Sequence, residues 1–266
     1  MSLLELSHVT VQVTDRSLRR AQRKTILEDL SFSVESGDLL MLAGPNGAGK
    51  STIVNTIAGA VPYSGRILFE GQDVAGFSSV ERARRIGILS QSHFVNYSFT
   101  VGEVVSMGRY AYSPSVFSAK APDEQEQIEK ALEMTGLTPI RDRSVLSLSG
   151  GELQRVFLAQ LFVQDPQVLI LDEPSNHLDI SYQQQIFELI FRWLRAEDSR
   201  KPKAVMMIVH DLSLARAFGG KGLLLDQGKI CGFGKPEDVF SETALNQVYG
   251  TDVAAYMRKL MEGWNL

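Results

Sequence analysis

Two kinds of apolar pattern run along the chain. Leu30-Ser31-Phe32-Ser33-Val34 switches cleanly between apolar and polar, the period of two that marks a strand with one buried face. Leu4 to Val13 alternates less regularly and also predicts a strand. Asp38-Leu39-Leu40-Met41-Leu42-Ala43 is a short apolar run suited to a buried strand. Val168-Leu169-Ile170-Leu171 and Ala204-Val205-Met206-Met207-Ile208-Val209 are continuous apolar runs, as expected for a parallel sheet covered on both faces. Gly65 to Glu70 and Ile86 to Leu89 add two more strands, with a short helix over Glu81 to Arg85 between them. After Gln91 the texture turns helical, over Thr100 to Arg109, Asp123 to Gly136 and Gly150 to Val163, with a Ser/Pro/Ala-rich surface loop at Tyr112 to Pro122. Gly222 to Phe233 reads as a hairpin turning at Asp226-Gln227-Gly228-Lys229, and Pro236 to Tyr249 and Val253 to Met261 as closing helices. The class is α/β: a mostly parallel sheet flanked by helices, an N-terminal antiparallel β part and a helical insertion. The expected organisation is one domain, with a core over 1–91 and 164–250, an insertion over 92–163 and a C-terminal helix over 251–266.

The stretch that organises the rest is Gly44-Pro45-Asn46-Gly47-Ala48-Gly49-Lys50-Ser51-Thr52, which fits G-x-x-x-x-G-K-[ST]. It lies between the buried strand ending at Ala43 and a helix predicted over Thr52 to Ala60, with Ile53, Ile57 and Ala60 on one face. A strand, a glycine-rich turn and a helix N-terminus aim backbone N–H groups and the positive end of the helix dipole at one point, which makes a polyphosphate site. Gly47 and Gly49 supply unusual backbone angles, Lys50 reaches the β- and γ-phosphates, and the Ser51 hydroxyl is placed to ligate Mg²⁺. The plainer alternative is a glycine-rich turn with no ligand, but the full pattern with both flanks points to a nucleoside triphosphate.

Further along, the strand Val168 to Leu171 ends in Asp172-Glu173-Pro174. In P-loop enzymes the first carboxylate beyond such a strand holds Mg²⁺. Pro174 ends the strand at once, so Glu173 is free to turn toward a γ-phosphate and polarise a water. Taken alone, such a pair could simply cap the next loop. Leu148-Ser149-Gly150-Gly151-Glu152 opens a second helix with a serine and two glycines. By itself this is only a capped helix start, yet it also offers free N–H groups to a second phosphate.

Composition narrows the partners. A formal net charge of -4 argues against a surface built for nucleic acid. The one cysteine, Cys231, excludes an intramolecular disulfide and a cysteine-based metal cluster, and fits a reducing compartment. Met1 to Glu5 shows no basic region followed by an apolar block, so no secretory signal is expected, and the longest apolar runs are too short to span a bilayer. A role at a membrane would therefore require a membrane partner.

Together these motifs resemble the nucleotide-binding subunit of ATP-binding cassette transporters over nearly the whole chain. Gly44 to Thr52 resembles that family's P-loop, Gln91 its Q-loop, and Leu148 to Glu152 its signature. Asp172 resembles the Mg²⁺ carboxylate, Glu173 the catalytic glutamate, Leu178-Asp179 the D-loop and His210 the switch histidine. The resemblance implies ATP and Mg²⁺ as ligands and a homodimer in which two copies pair head to tail. Lys50 of one copy and Ser149, Gly150 and Gly151 of the other would hold each ATP, with His210 on the γ-phosphate and Gln91 sensing Mg²⁺ and water. It also implies polytopic permease subunits, a substrate-binding protein and a place on the cytoplasmic face of the membrane.

Two positions depart from the family pattern. Val13 stands where an aromatic residue often stacks on adenine, close to a basic stretch holding Arg16, Arg19, Arg20, Arg23 and Lys24 that otherwise reads as a solvated hairpin loop. Leu153 replaces a polar residue common after the signature glutamate. Val105 to Tyr110, Ser175 to Ile180 and His210 to Ala215 resemble the importer branch for iron–siderophore, haem and cobalamin. His177 belongs to that likeness, and His8 and His93 fit no metal-ligand spacing. The competing class is a cassette ATPase that transports nothing, such as an iron–sulfur assembly ATPase. Gln91 to Tyr112, with His93, Phe94, Val95, Tyr97 and Phe99, is the expected permease-docking stretch.

Overall fold

The computed structural model describes residues 2–15, 22–90, 98–112, 124–176, 178–196 and 201–262. Gln91, His93, Phe94, Val95, Tyr97, His177, Arg16, Arg19 and Arg20 lie outside the described residues. Two compact units emerge, one from Met1–Ala75 with Met206–Leu266 and one from Gly76–Val205.

The first unit opens with the long antiparallel strands β1 (Ser2–Asp15) and β2 (Gln22–Glu35), which bury Leu4, Leu6, Val9 and Val11 against Leu27, Leu30 and Val34. The uneven alternation in β1 has a physical cause. The register shifts between Leu6 and Val9, and His8 and Asp29 both take φ near 53° and bond to each other at 2.7 Å on the exposed face. The bulge puts neighbouring apolar residues back on the buried face. Arg23 and Lys24 correct the loop reading: they belong to β2, opposite Thr14 and Val13. Ladder bonds are made by the backbone, so a polar, two-stranded ribbon extends past the end of the apolar pattern.

Strand β3 (Leu39–Ala43) is buried throughout, and α1 (Lys50–Ile57) buries Ile53, Val54 and Ile57. β4 (Ser64–Phe69) and β5 (Gln72–Asp73) complete an antiparallel sheet in the order β2-β1-β4-β5.

The second unit holds α2 (Ser79–Arg85), β6 (Ile86–Leu89), α3 (Val101–Ser106), α4 (Glu124–Met134), α5 (Gly150–Gln164), β7 (Val168–Asp172) and α6 (Ile180–Leu194). β6 and β7 are parallel, with Ile86 beside Val168. Capping boxes start three of the helices, pairing Ser78 with Glu81, Thr100 with Glu103 and Ser149 with Glu152.

The helix expected over 100–109 ends at Ser106 and tightens to 3-10 over Met107–Tyr112. There the chain lies against the end of α5, where a Cβ on Gly108 would sit 2.1 Å from the Gln160 carbonyl. Arg109 Nη1 donates to the Val163 carbonyl at 3.2 Å and Tyr112 Oη to that of Gln164 at 3.0 Å. These side chains satisfy carbonyls that the helix end leaves without a partner.

Helix α6 was not anticipated, although Ile186, Phe187, Leu189, Ile190 and Trp193 form a legible buried stripe. The division between the units falls inside β8 (Ala204–Ile208), all of whose residues are buried.

The first unit resumes with α7 (Leu212–Phe218), β9 (Lys221–Asp226), β10 (Lys229–Gly234), α8 (Pro236–Val239), α9 (Glu242–Tyr249) and α10 (Val253–Glu262). β9 runs parallel to β3, with Met41 beside Gly222, and antiparallel to β10. The single helix expected over 236–249 is two. Phe240 turns inward and is 1% exposed, against Gly222, and Ser241 starts the next helix. Among the described residues no helix is long and apolar enough to cross a membrane.

Candidate nucleotide site

In the first unit the loop Gly44 to Gly49 joins β3 to α1, with Asn46 and Gly47 exposed and Gly49 in the left-handed region at φ 108°. Gly44 is required sterically, because a Cβ there would lie 2.0 Å from the Leu225 carbonyl oxygen. Lys50 is only 7% exposed, and its Nζ donates to the carbonyls of Gly44 at 2.7 Å and Pro45 at 3.0 Å. The ammonium is thus held inside the curve of the loop. Pro45 also accepts from Ala48 N at 3.2 Å, and Gly228 N donates to the Ala48 carbonyl at 2.9 Å. Ser51 is exposed at the start of α1, and Thr52 accepts from the Thr56 hydroxyl at 2.6 Å.

The sequence reading missed the support from the β9–β10 turn, which held no signal beyond its glycine. It also missed Tyr249 on α9. Burial pushes that phenol up, and the Gly44 N–H draws it partly back, which places it beside the loop. His210 is exposed just beyond β8, next to Asp211, which caps α7 by accepting from Ser213 N at 2.8 Å.

In the second unit Asp172 ends β7 and is 5% exposed. Glu173 takes φ 55°, a left-handed backbone that costs a non-glycine residue about 1–3 kcal/mol. Pro174 was expected to end the strand, and β7 does stop at Asp172. The left-handed turn that carries Glu173 away from the strand's alternation goes beyond that expectation, because a residue before proline is normally extended. Asn176 Nδ2 donates to Glu173 Oε2 at 2.7 Å, a contact the sequence reading did not foresee.

Ser149 and Gly150 are exposed at the N-terminus of α5. Gly151 is buried, and a Cβ on it would press to 2.3 Å from the Tyr182 ring. Asp179 caps α6, accepting from Tyr182 N at 2.9 Å, and this bond first of all holds its carboxyl below the ordinary range. A Cβ on Gly150 would lie 4.0 Å from Leu178 Cδ2, so the structure brings the start of α5 and the residue before the α6 cap together.

Glu152 closes the capping box, accepting from Ser149 N at 2.8 Å, and lies 3.7 Å from Arg143 Nη1. The Ser149 N–H holds its carboxyl below the usual 4.5; burial opposes this, while the Ser149 hydroxyl, Arg143 and Arg155 assist. Because the folded value is the lower one, the stabilisation is complete above the unfolded value and is lost as pH falls through the folded one. Glu152→Ala is expected to cost about 1 kcal/mol at neutral pH. Its deficit in thermal unfolding should shrink below about pH 4. An unfolding difference independent of pH contradicts this account.

A phosphate-binding loop between a buried strand and a helix, in an α/β fold, defines a P-loop nucleotide-binding protein. The family model described as ABC transporter matches residues 27–176. The chain is 35% identical over 246 residues to the hemin import ATP-binding protein HmuV of Rhodococcus jostii, spanning 92% of this chain and 81% of that protein. It is 34% identical over 227 residues to the ferric enterobactin transport ATP-binding protein FepC of Escherichia coli, spanning 85% and 82%. A solved metal-chelate type ABC transporter in an inward-facing conformation shares the fold, with a TM-score of 0.78 at 22% identity, over 95% of this chain and 90% of that one. This chain belongs to the ABC transporter ATPase family.

Proposed function

We propose that this chain is the ATP-hydrolysing subunit of a membrane importer whose cargo is an iron chelate, haem or a related tetrapyrrole such as cobalamin. The observation that carries this is the likeness, over most of both chains, to proteins named for hemin import and ferric enterobactin transport. Those names favour transport over an iron–sulfur assembly ATPase. The reading includes a homodimer, polytopic permease subunits, a substrate-binding protein and a position on the cytoplasmic face. It treats the chain as one cassette with the segment 92–163 as its helical part.

Each residue then has a chemical task. Lys50 and backbone N–H groups between Gly47 and Thr52 hold the phosphates, and Glu173 takes a proton from the attacking water. The Ser51 hydroxyl, exposed in the first turn of α1, and the Asp172 carboxylate, at the last residue of β7, are hard oxygen donors of the kind Mg²⁺ takes. When bound, the ion neutralises charge on the β- and γ-phosphate oxygens. His210 contacts the γ-phosphate, Gln91 senses its state, and Ser149, Gly150, Gly151, Glu152 and Asp179 serve the face presented to the second copy.

Adenine recognition departs from the common stacking mode. Val13 is 40% exposed and stands opposite Lys24 in the strand pair. The base is held loosely there or covered by an arginine of the adjoining basic stretch through a cation–π contact. ATP and GTP are expected to be hydrolysed with similar efficiency. A strong ATP preference that survives alanine at the basic residues from Arg16 to Lys24 contradicts both versions.

The test of the transport reading is co-purification with a polytopic membrane protein. Phe94, Tyr97 and Phe99 replaced singly by aspartate should break that association while ATP affinity persists. Phe99 is 36% exposed, and its carbonyl accepts from Val145 N at 2.9 Å. Variants that unfold assign these rings to the core. Folded variants that still co-purify and support transport place docking elsewhere.

A further inference from the structure

In the first unit, α7, α9 and α10, together with Phe240, line a half-open cavity of about 330 Å³ to which none of the nucleotide residues contributes. Its size lies at the lower end of the range for small-molecule sites. Leu212 from α7, Phe240, Leu245 from α9, and Val253, Ala254 and Met257 from α10 supply its apolar lining. Two cations reach it, Arg216 from α7 and Arg258 from α10, against one carboxylate, Glu242. Glu242 lies 3.8 Å from Arg258, a long pair with both side chains more than half exposed. Arg216 makes no ion pair among the described residues. The cavity therefore joins an apolar wall to one unbalanced positive charge.

We propose that this cavity binds a small amphipathic anion, an apolar body ending in one carboxylate or sulfonate, and that its occupancy alters ATP turnover. The apolar body removes the cavity wall from water, which drives association without directional contacts. The anionic end pairs with Arg216, whose planar guanidinium suits carboxylate and sulfonate oxygens. The route to turnover is short. α7 starts at its cap Asp211, directly after His210, so an occupant wedged between α7 and α10 bears on the helix that follows the switch histidine. This second half rests on the role given above to His210, whereas binding at the cavity does not.

The probes are anilinonaphthalene sulfonate, whose fluorescence reports an apolar site, and decanoate as its competitor, both with the full chain. Saturable dye binding displaced by decanoate, and at least tenfold less well by decanol, is expected. Arg216→Ala should weaken both anions about tenfold, the loss of one charged hydrogen bond. Ala254→Trp should fill the cavity and abolish displaceable binding, with thermal unfolding confirming that the variant folds. Anion affinity unchanged in Arg216→Ala, or displaceable binding retained in folded Ala254→Trp, overturns the site. Saturating decanoate should change ATP turnover twofold or more in the wild type and not in Ala254→Trp. Equal turnover with and without decanoate, while binding behaves as stated, overturns the coupling alone.

Discussion

Glu173→Gln should still bind ATP, accumulate a closed dimer and lose turnover by about 10²–10⁴-fold, the range for removal of a general base. Glutamine keeps the length of the side chain and an oxygen that can accept from Asn176 Nδ2, as Glu173 Oε2 does now at 2.7 Å. The backbone at φ 55° is equally strained with either residue, so local geometry is preserved and basicity is what changes. Single-turnover hydrolysis and size-exclusion chromatography with ATP separate chemistry from association. Turnover near the wild-type rate would remove Glu173 from the role of base.

Lys50→Ala should act on binding instead, weakening ATP affinity about 10–100-fold through loss of a charged hydrogen-bond donor at the phosphates. The buried ammonium also clasps the carbonyls of Gly44 and Pro45, so alanine removes the clasp along with the charge. Titration with a fluorescent nucleotide distinguishes the two variants, since Glu173→Gln keeps its affinity. An unchanged dissociation constant in Lys50→Ala shows that the lysine is not a phosphate ligand.

The parts that were legible in the sequence are those in which chemistry and periodicity coincide. Leu39 to Ala43 and Val168 to Leu171 are uniformly apolar because they are buried throughout, and β3 and β7 appear within a residue or so of the expected bounds. The end of β7 at Asp172 was readable from Pro174, but the left-handed backbone at Glu173 was not, since a residue before proline is normally extended. Other features depend on contacts between segments distant in the chain. Nothing local to Arg23 or Lys24 announces a strand, since the ladder to Thr14 and Val13 extends without an apolar face. The helix ending at Ser106 is cut short by packing on α5 that only Gly108 permits. Asn176 reads as an ordinary loop residue until its amide is seen on Glu173.

The turn between β9 and β10 bears on how the protein can be engineered. Short exposed hairpin turns are usually forgiving places to insert an epitope, a tag or a fluorescent domain. Here Gly228 donates to the Ala48 carbonyl and accepts from Glu28 N, both at 2.9 Å, and a Cβ on it would lie 2.2 Å from the Ile26 carbonyl. The hairpin tip is in effect a buttress of the phosphate loop, so a graft at this turn would act as an active-site lesion, however harmless the position looks in the sequence.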